Sequence, residues 1–287
     1  MAKSKKPSFD FDQYFKSFSG EQKHSVKISK KKKIIWGLIL LIFFLFVIYI
    51  ISGLPSLEEL ENPKPQLASK VYTFDGELLG QFFIENRIET HIDSLPTYVI
   101  DALISTEDKR FYDHWGVDVS RFFKAMIKNV FTLSKEGAST ITQQLAKNLY
   151  QLKGRNENYF DVAVRKIREW ITAIQIERTY TKNEILELYF NISYFGRSAY
   201  GIETASRVYF GKKASELTLP EAALFIALLK SPEHYDPVRK PENALRRRNL
   251  VMLNMVKNGK LDETNYAELK LLPINLISER ITGTRSI

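Results

Sequence analysis

Four blocks of this 287-residue chain place polar residues where a plain helix has no need of them. The first runs from Thr106 to Gly116 and sets Glu107 and Asp108 at the end of an apolar helix, with His114 seven residues after Glu107. A carboxylate at the end of a buried helix is partly desolvated, which raises its pKa toward general-base duty. An ordinary solvated helix end would read the same way. The second block, Gly137–Asn148, offers Ser139 as an N-cap and then Thr140, Gln143, Gln144 and Lys147 on one helical face, with Asn148 beside them. Free amides at a helix start, with a lysine one turn on, suit a phosphate or pyrophosphate. An amphipathic helix with a polar outer face is the plainer reading. The third block pairs Arg165 and Lys166 with Glu169 four residues after Arg165, either a surface ion pair or cations set to neutralise a departing phosphate. The fourth, Lys182–Asn191 followed by Tyr194-Phe195-Gly196, suits a sugar-lined groove and suits core packing equally well.

These side chains need a frame, and the sequence predicts a mostly helical one. Asp93-Ser94 with Pro96 starts a helix toward Thr106. An amphipathic helix is expected from about Val162 to Arg178. Thr181/Glu184 and Thr218/Glu221 are capping boxes that open helices reaching about Phe190 and Lys230, and Ala244–Lys257 forms another, stopped by Gly259. The only strand signal is a hairpin, Lys70–Phe74 and Glu77–Ile84 around Asp75-Gly76. Arg121–Leu133 mixes Phe122, Phe123, Met126, Ile127, Val130 and Phe131 with Arg121, Lys124 and Lys128. Such a helix either lies in a membrane interface or faces the core.

Charge separates the chain into a tail and a body. The net charge is +9, of which residues 1–33 carry +7 and the remainder only +2. A near-neutral body argues against a nucleic-acid partner. The lysines of the tail run into Ile34–Ile51, eighteen uncharged and strongly apolar residues, with Trp36 and Tyr49 near the ends. This is expected to be a single signal-anchor helix rather than a core helix or a cleaved signal peptide, its lysine side cytoplasmic and the rest of the chain on the outer face. There is no cysteine, which excludes disulfides and thiolate chemistry. The four histidines are scattered and no His-Glu-x-x-His occurs, so no metal site is expected.

The order and spacing of the blocks are more specific than any one of them. Glu-Asp-x-x-Phe-x-x-His-x-Gly, Gly-x-Ser-Thr-Ile-Thr-Gln-Gln-Leu-x-Lys-Asn, Arg-Lys-x-x-Glu, Lys-x-x-Ile-Leu-x-x-Tyr-x-Asn and then Arg247-Arg248 closely resemble the five-motif signature of the family 51 peptidoglycan glycosyltransferases over roughly residues 66–260. That domain occurs in class A penicillin-binding proteins and in monofunctional transglycosylases. The resemblance implies a mainly α, lysozyme-like glycosyltransferase domain with a membrane-dipping jaw. It also implies polymerisation of lipid II into β-1,4-linked glycan, with inversion and release of undecaprenyl pyrophosphate, at the bacterial cytoplasmic membrane.

By motif, Glu107 resembles the general base and Glu169 the second carboxylate. Lys147, Arg165 and Lys166 resemble donor-side cations. Ser139, Thr140, Gln143, Gln144 and Asn148 resemble groove residues, and Asp108, His114, Asn191 and Arg247 further substrate-binding positions. No obligatory cofactor is implied, and the family's dependence on a divalent cation such as Mg varies. Two departures stand out: Tyr150–Ala163 is longer than in many members, which leaves Arg155 unassigned as the mobile-loop arginine, and Ser193 replaces the usual Ile or Val.

The expected organisation is a basic cytoplasmic tail (1–33), a membrane anchor (34–54), a linker (55–65), the glycosyltransferase domain (66–260) and a C-terminal segment (261–287) resembling the stretch that leads into a transpeptidase domain. No Ser-x-x-Lys follows the anchor and no Lys-Thr-Gly occurs, so no transpeptidase activity is expected of this chain. It reads as the amino-terminal part of a bifunctional enzyme or as a monofunctional form. The rival readings are a lysozyme-like lytic enzyme using Glu107 as acid and a non-catalytic, membrane-tethered wall scaffold.

Overall fold

The computed structural model describes residues 30–61, 69–72, 78–82, 86–132, 137–150, 152, 154 and 156–277. The hairpin turn at Asp75-Gly76, the prolines Pro63 and Pro65, and Arg155 lie outside them. The chain divides into two units, residues 1–49 and 50–287.

Helix α1 (Lys30–Ile51) fills the described part of the first unit. Its 22 residues span about 33 Å at 1.5 Å per residue, and Ile34, Trp36, Leu40 and Phe43 are all exposed. Among the described residues it is the one helix long and apolar enough to cross a membrane.

The second unit is mainly helical. After the short α2 (Leu57–Glu61), β1 (Ser69–Tyr72) and β2 (Leu78–Phe82) pair antiparallel, Ser69 opposite Phe82, with an irregularity between Val71 and Tyr72. The two-residue β3 (Asn86–Arg87) pairs in parallel with β4 (Ala199–Tyr200). Neither segment carries an alternating pattern long enough to announce itself.

A 3₁₀ turn at Ile92–Ser94 precedes α3 (Thr97–Glu107), which starts later than the sequence suggests. Leu95 and Pro96 are both extended, and Pro96, lacking an N–H, serves as the N-cap. Then follow α4 (Val119–Thr132), α5 (Ile141–Leu149), α6 (Tyr159–Thr179), α7 (Lys182–Ile192), α8 (Ile202–Phe210), α9 (Leu219–Lys230), α10 (Pro241–Lys257) and α11 (Glu263–Leu269).

Helix α9 is buried from Pro220 to Leu228 apart from Glu221, as a helix apolar on all sides must be, and it packs against α3 and α10. A second group joins α5 to α6 and α7. Ala102 and Leu103 of α3, Ile141 and Leu145 of α5, and Leu186 and Phe190 of α7 belong to one continuous core with α9. The core therefore fixes the end of α3, where Glu107 sits, relative to the start of α5.

Residues after Lys260 continue onto the same core. Leu261, Tyr266, Leu269, Ile274 and Leu276 pack against it. Arg248 and Asn249 donate to Lys270 O at 3.2 and 3.1 Å, and Ile277 N donates to Tyr209 O at 3.0 Å. On α4, Ala125 is buried, while Phe123, Met126, Ile127 and Phe131 are exposed on a helix that also carries exposed Lys124 and Lys128.

Candidate active site

Glu107 is the last residue of α3 and is half-buried. Its Oε2 accepts from Gln144 Nε2 at 2.8 Å, and Gln144 Oε1 accepts from the Tyr189 hydroxyl at 2.9 Å. Its carbonyl accepts from Arg121 at 2.8 Å, and the same guanidinium reaches Gly137 O at 3.2 Å. Arg121 thus ties the end of α3 to the segment that leads into α5.

The N-cap of α5 is Thr140, not Ser139. Thr140 Oγ1 accepts from Gln143 N at 3.1 Å and Gln143 Oε1 accepts from Thr140 N at 3.4 Å, the two halves of a capping box. The same hydroxyl donates to Gly116 O at 2.6 Å. Both Thr140 and Gln143 are buried, so these two expected groove residues spend their polar groups on the protein. Ser139, released from capping, instead accepts from Lys166 Nζ at 3.1 Å.

Asp108 and His114 also face inward. Asp108 is fully buried, and its Oδ2 receives His114 Nε2 at 2.9 Å and Ile141 N at 3.1 Å. Gly116 N donates to His114 Nδ1 at 3.1 Å, so Nδ1 must carry a lone pair and Nε2 the proton. Gly116 has φ +99°, and a Cβ there would stand 2.7 Å from Ala173 O on α6, so only glycine fits. Asn191, likewise expected in the groove, is buried and exchanges 3.0 and 2.9 Å hydrogen bonds with the backbone of Thr90. Lys182 of the fourth block donates to His114 O at 2.7 Å and Glu177 at 2.8 Å, with its ammonium 4.3 Å from the Phe111 ring centre. Thr142 shares that Glu177 at 2.6 Å. Much of the motif set is therefore an internal clamp holding the first two blocks against α6 and α7.

Glu169 overturns the surface-pair reading of the third block. It is 1% exposed and is bound by Arg165 and, at 2.6 Å, by Lys166. Arg165 also meets Glu157 at 2.9 and 3.0 Å. Burial works to lower the Arg165 pKa, but its hydrogen bonds and attraction to Glu169 and then Glu157 outweigh this and raise it, so the guanidinium stays charged. Lys166, with 42% of its side chain exposed, uses two of its three N–H groups on Ser139 and Glu169 among the described residues. The third is available to an incoming anion.

Of the other expected residues, Lys147 is half-buried and Asn148 exposed, both toward the end of α5. Arg247 is half-buried with its guanidinium 5.7 Å from the Tyr235 ring centre. Sequence reasoning missed Arg121, Glu157 and Glu177 as partners of the site, and placed Tyr189 in the fourth block without its bond to Gln144. Nothing in the local pattern marks these contacts, because each acts across elements or through a loop. Among the described residues no group of three or more His, Cys, Asp or Glu could hold a metal ion.

What the arrangement can do follows from its charges. One half-exposed carboxylate accepts a neutral amide, and a second, buried one is neutralised by two cations. The sequence model of the family described as Transglycosylase matches residues 75–256, more than half of the chain. The chain belongs to the transglycosylase family.

Among relatives, it is 41% identical over 256 residues to penicillin-binding protein 1A of Aquifex aeolicus (strain VF5), covering 86% of this chain and 34% of that protein. It is 44% identical over 207 residues to penicillin-binding protein 1A of Neisseria flavescens (72% of this chain, 25% of that one). It is 39% identical over 228 residues to penicillin-binding protein 1A of Escherichia coli (strain K12) (79% and 26%). The chain thus spans about a quarter to a third of the length of these relatives. A crystal structure of penicillin-binding protein 1A from Haemophilus influenzae aligns with 75% of this chain and 22% of that one, at 24% identity and a TM-score of 0.42.

Proposed function

We propose that residues 66–260, with the packed extension to about Ile277, polymerise lipid II into β-1,4-linked glycan in cell wall synthesis. The observation that carries this reading is that both carboxylates are held at the start of one helix: Glu107 by Gln144 of α5, Glu169 through Lys166 by Ser139 just before α5. Ser139 and Gln144 are five residues apart, roughly 7–8 Å along a helix. A base and a cationic cradle at that scale can serve the two ends of one displacement.

The chemistry divides accordingly. The acceptor's 4-hydroxyl gives its proton to Glu107 while its oxygen bonds to the donor's anomeric carbon. The carbon–oxygen bond to undecaprenyl pyrophosphate breaks on the opposite face, with inversion. The charge that gathers on the departing pyrophosphate is met by Lys166, whose third N–H is unused among the described residues. Glu169 and Arg165 hold Lys166 in place. No covalent sugar–enzyme bond is needed, since pyrophosphate is already a good leaving group.

Helix α1 anchors the chain in the bacterial cytoplasmic membrane, its lysine end cytoplasmic, so that the second unit meets a lipid-tethered donor on the outer face. The exposed apolar side of α4 suits contact with the same bilayer.

The deciding experiment incubates the purified chain with labelled lipid II and, separately, with mature glycan. Long chains from lipid II support the proposal. Shortening of glycan alone would favour a lytic enzyme, and no turnover of either substrate would favour a scaffold.

A further inference from the structure

The contact between Glu107 and Gln144 does not end at Gln144. The Tyr189 hydroxyl, fully buried on α7, occupies the amide's other end at 2.9 Å. We propose that Tyr189 and Gln144 are positioning residues for the base: a two-bond relay that orients the Glu107 carboxylate and leaves Oε1 as the oxygen that takes the proton. This rests on the reading of Glu107 as the base.

The direction of the relay follows from donor and acceptor inventory. An ionised carboxylate can only accept, so the Gln144 NH₂ must face Glu107. Its carbonyl oxygen then faces Tyr189, which must donate. Burial foremost, and then the nearby charge of Glu107, push the Tyr189 pKa well up, so that the hydroxyl remains a donor throughout the working range. Gln144 is therefore held at both ends and cannot turn its oxygen toward the carboxylate without stranding a buried hydroxyl. Among the described residues no protein donor reaches Oε1. The relay therefore fixes Oε2 and leaves Oε1 as the oxygen open to an incoming hydroxyl.

The test compares the wild-type chain with Tyr189→Phe, Gln144→Met and the double variant. Two readouts are used: the Glu107 carboxyl signal in ¹³C-glutamate NMR, assigned by difference against Glu107→Gln, and kcat and KM for lipid II polymerisation. Each single variant is expected to move the Glu107 carboxyl signal, because the bond at Oε2 is lost or loosened. Each should also lower kcat about tenfold, with KM changed less than twofold. The double variant should be no worse than the worse single, because both break one chain of bonds. An unchanged carboxyl signal in folded Tyr189→Phe, or effects of the two substitutions that simply add, overturns the relay. If Tyr189→Phe does not fold, Gln144→Met decides the matter by the same carboxyl signal. A moved signal in a chain that never polymerises lipid II would leave the relay standing and overturn the assigned function instead.

Discussion

Lys166 and Ser139 are joined by a 3.1 Å hydrogen bond that ties the middle of a 21-residue helix to the residue just before the cap of another. This bond exists because Thr140 takes the capping position, which leaves the Ser139 hydroxyl free to face the lysine. The Lys166 ammonium is thereby attached to the start of the helix whose Gln144 also holds Glu107, the proposed base.

The base is the first point to test. Glu107→Gln keeps the size and the helix end while removing the proton acceptor. Polymerisation should fall by about 100-fold or more, in the range that a general base contributes. Thermal unfolding should stay near the wild-type midpoint, since Glu107 is half-buried and not part of the apolar core. A gel assay of lipid II polymers together with a melting curve checks both halves.

Arg165 and Lys166 should separate by burial. Arg165→Ala leaves Glu157 and the buried Glu169 short of a guanidinium, which should cost about 3 kcal/mol of stability in urea unfolding. Lys166→Ala removes a part-exposed ammonium and leaves Arg165 on Glu169, so its loss should fall mainly on donor use, with a small change in stability. Initial rates with donor and acceptor varied independently test the assignment of sides. A defect in acceptor use alone would reverse it.

Asp118 gives the stability its acid limb. It precedes α4, accepts from Arg121 N at 2.8 Å and is bridged by Arg110. Burial on its own would push the Asp118 pKa up. The hydrogen bonds from Arg110 and from Arg121 N, with the charge of Arg110, outweigh that and hold it below the usual carboxylate range. Its contribution is thus full above the unfolded pKa of about 3.9 and is lost as pH falls through the lower folded value. Asp118→Asn, whose amide oxygen can still accept from Arg121 N but which loses the charge facing Arg110, should cost about 1 kcal/mol at pH 7. The difference from wild type should shrink below about pH 4. Urea unfolding as a function of pH reads it directly.

The segment after Lys260 should behave as part of the domain. Ending the chain at Lys260 removes Leu261, Tyr266, Leu269, Ile274 and Leu276 from the core surface and strips Arg248, 1% exposed, of its Lys270 carbonyl. The melting midpoint should fall by at least ~3 °C relative to a chain ending at Ile277. Equal midpoints would return this stretch to the status of a linker.

Local chemistry made much of this protein legible from its residues alone. Thr181/Glu184 and Thr218/Glu221 announce the starts of α7 and α9, because a capping box is a contact between residues three apart. The eighteen apolar residues behind four lysines announce α1, because its length and composition are one-dimensional properties. The order of the motif blocks named the family.

Only the tertiary structure could decide which motif residues face outward. Asp108, His114, Thr140, Gln143, Lys182 and Asn191 belong to the same blocks as Glu107, Gln144 and Lys166, yet the first group is turned into the protein. The box at Asn158/Asp161 and the parallel pair Asn86–Arg87 with Ala199–Tyr200 were equally silent, the one for its atypical N3 acid, the other for its brevity. The physical reason is range. Caps, turns and membrane spans depend on neighbours in sequence. The Glu107–Gln144–Tyr189 relay and the burial of Glu169 join residues from separate helices or set a charge against packing from elsewhere, and so come into being only when the core closes.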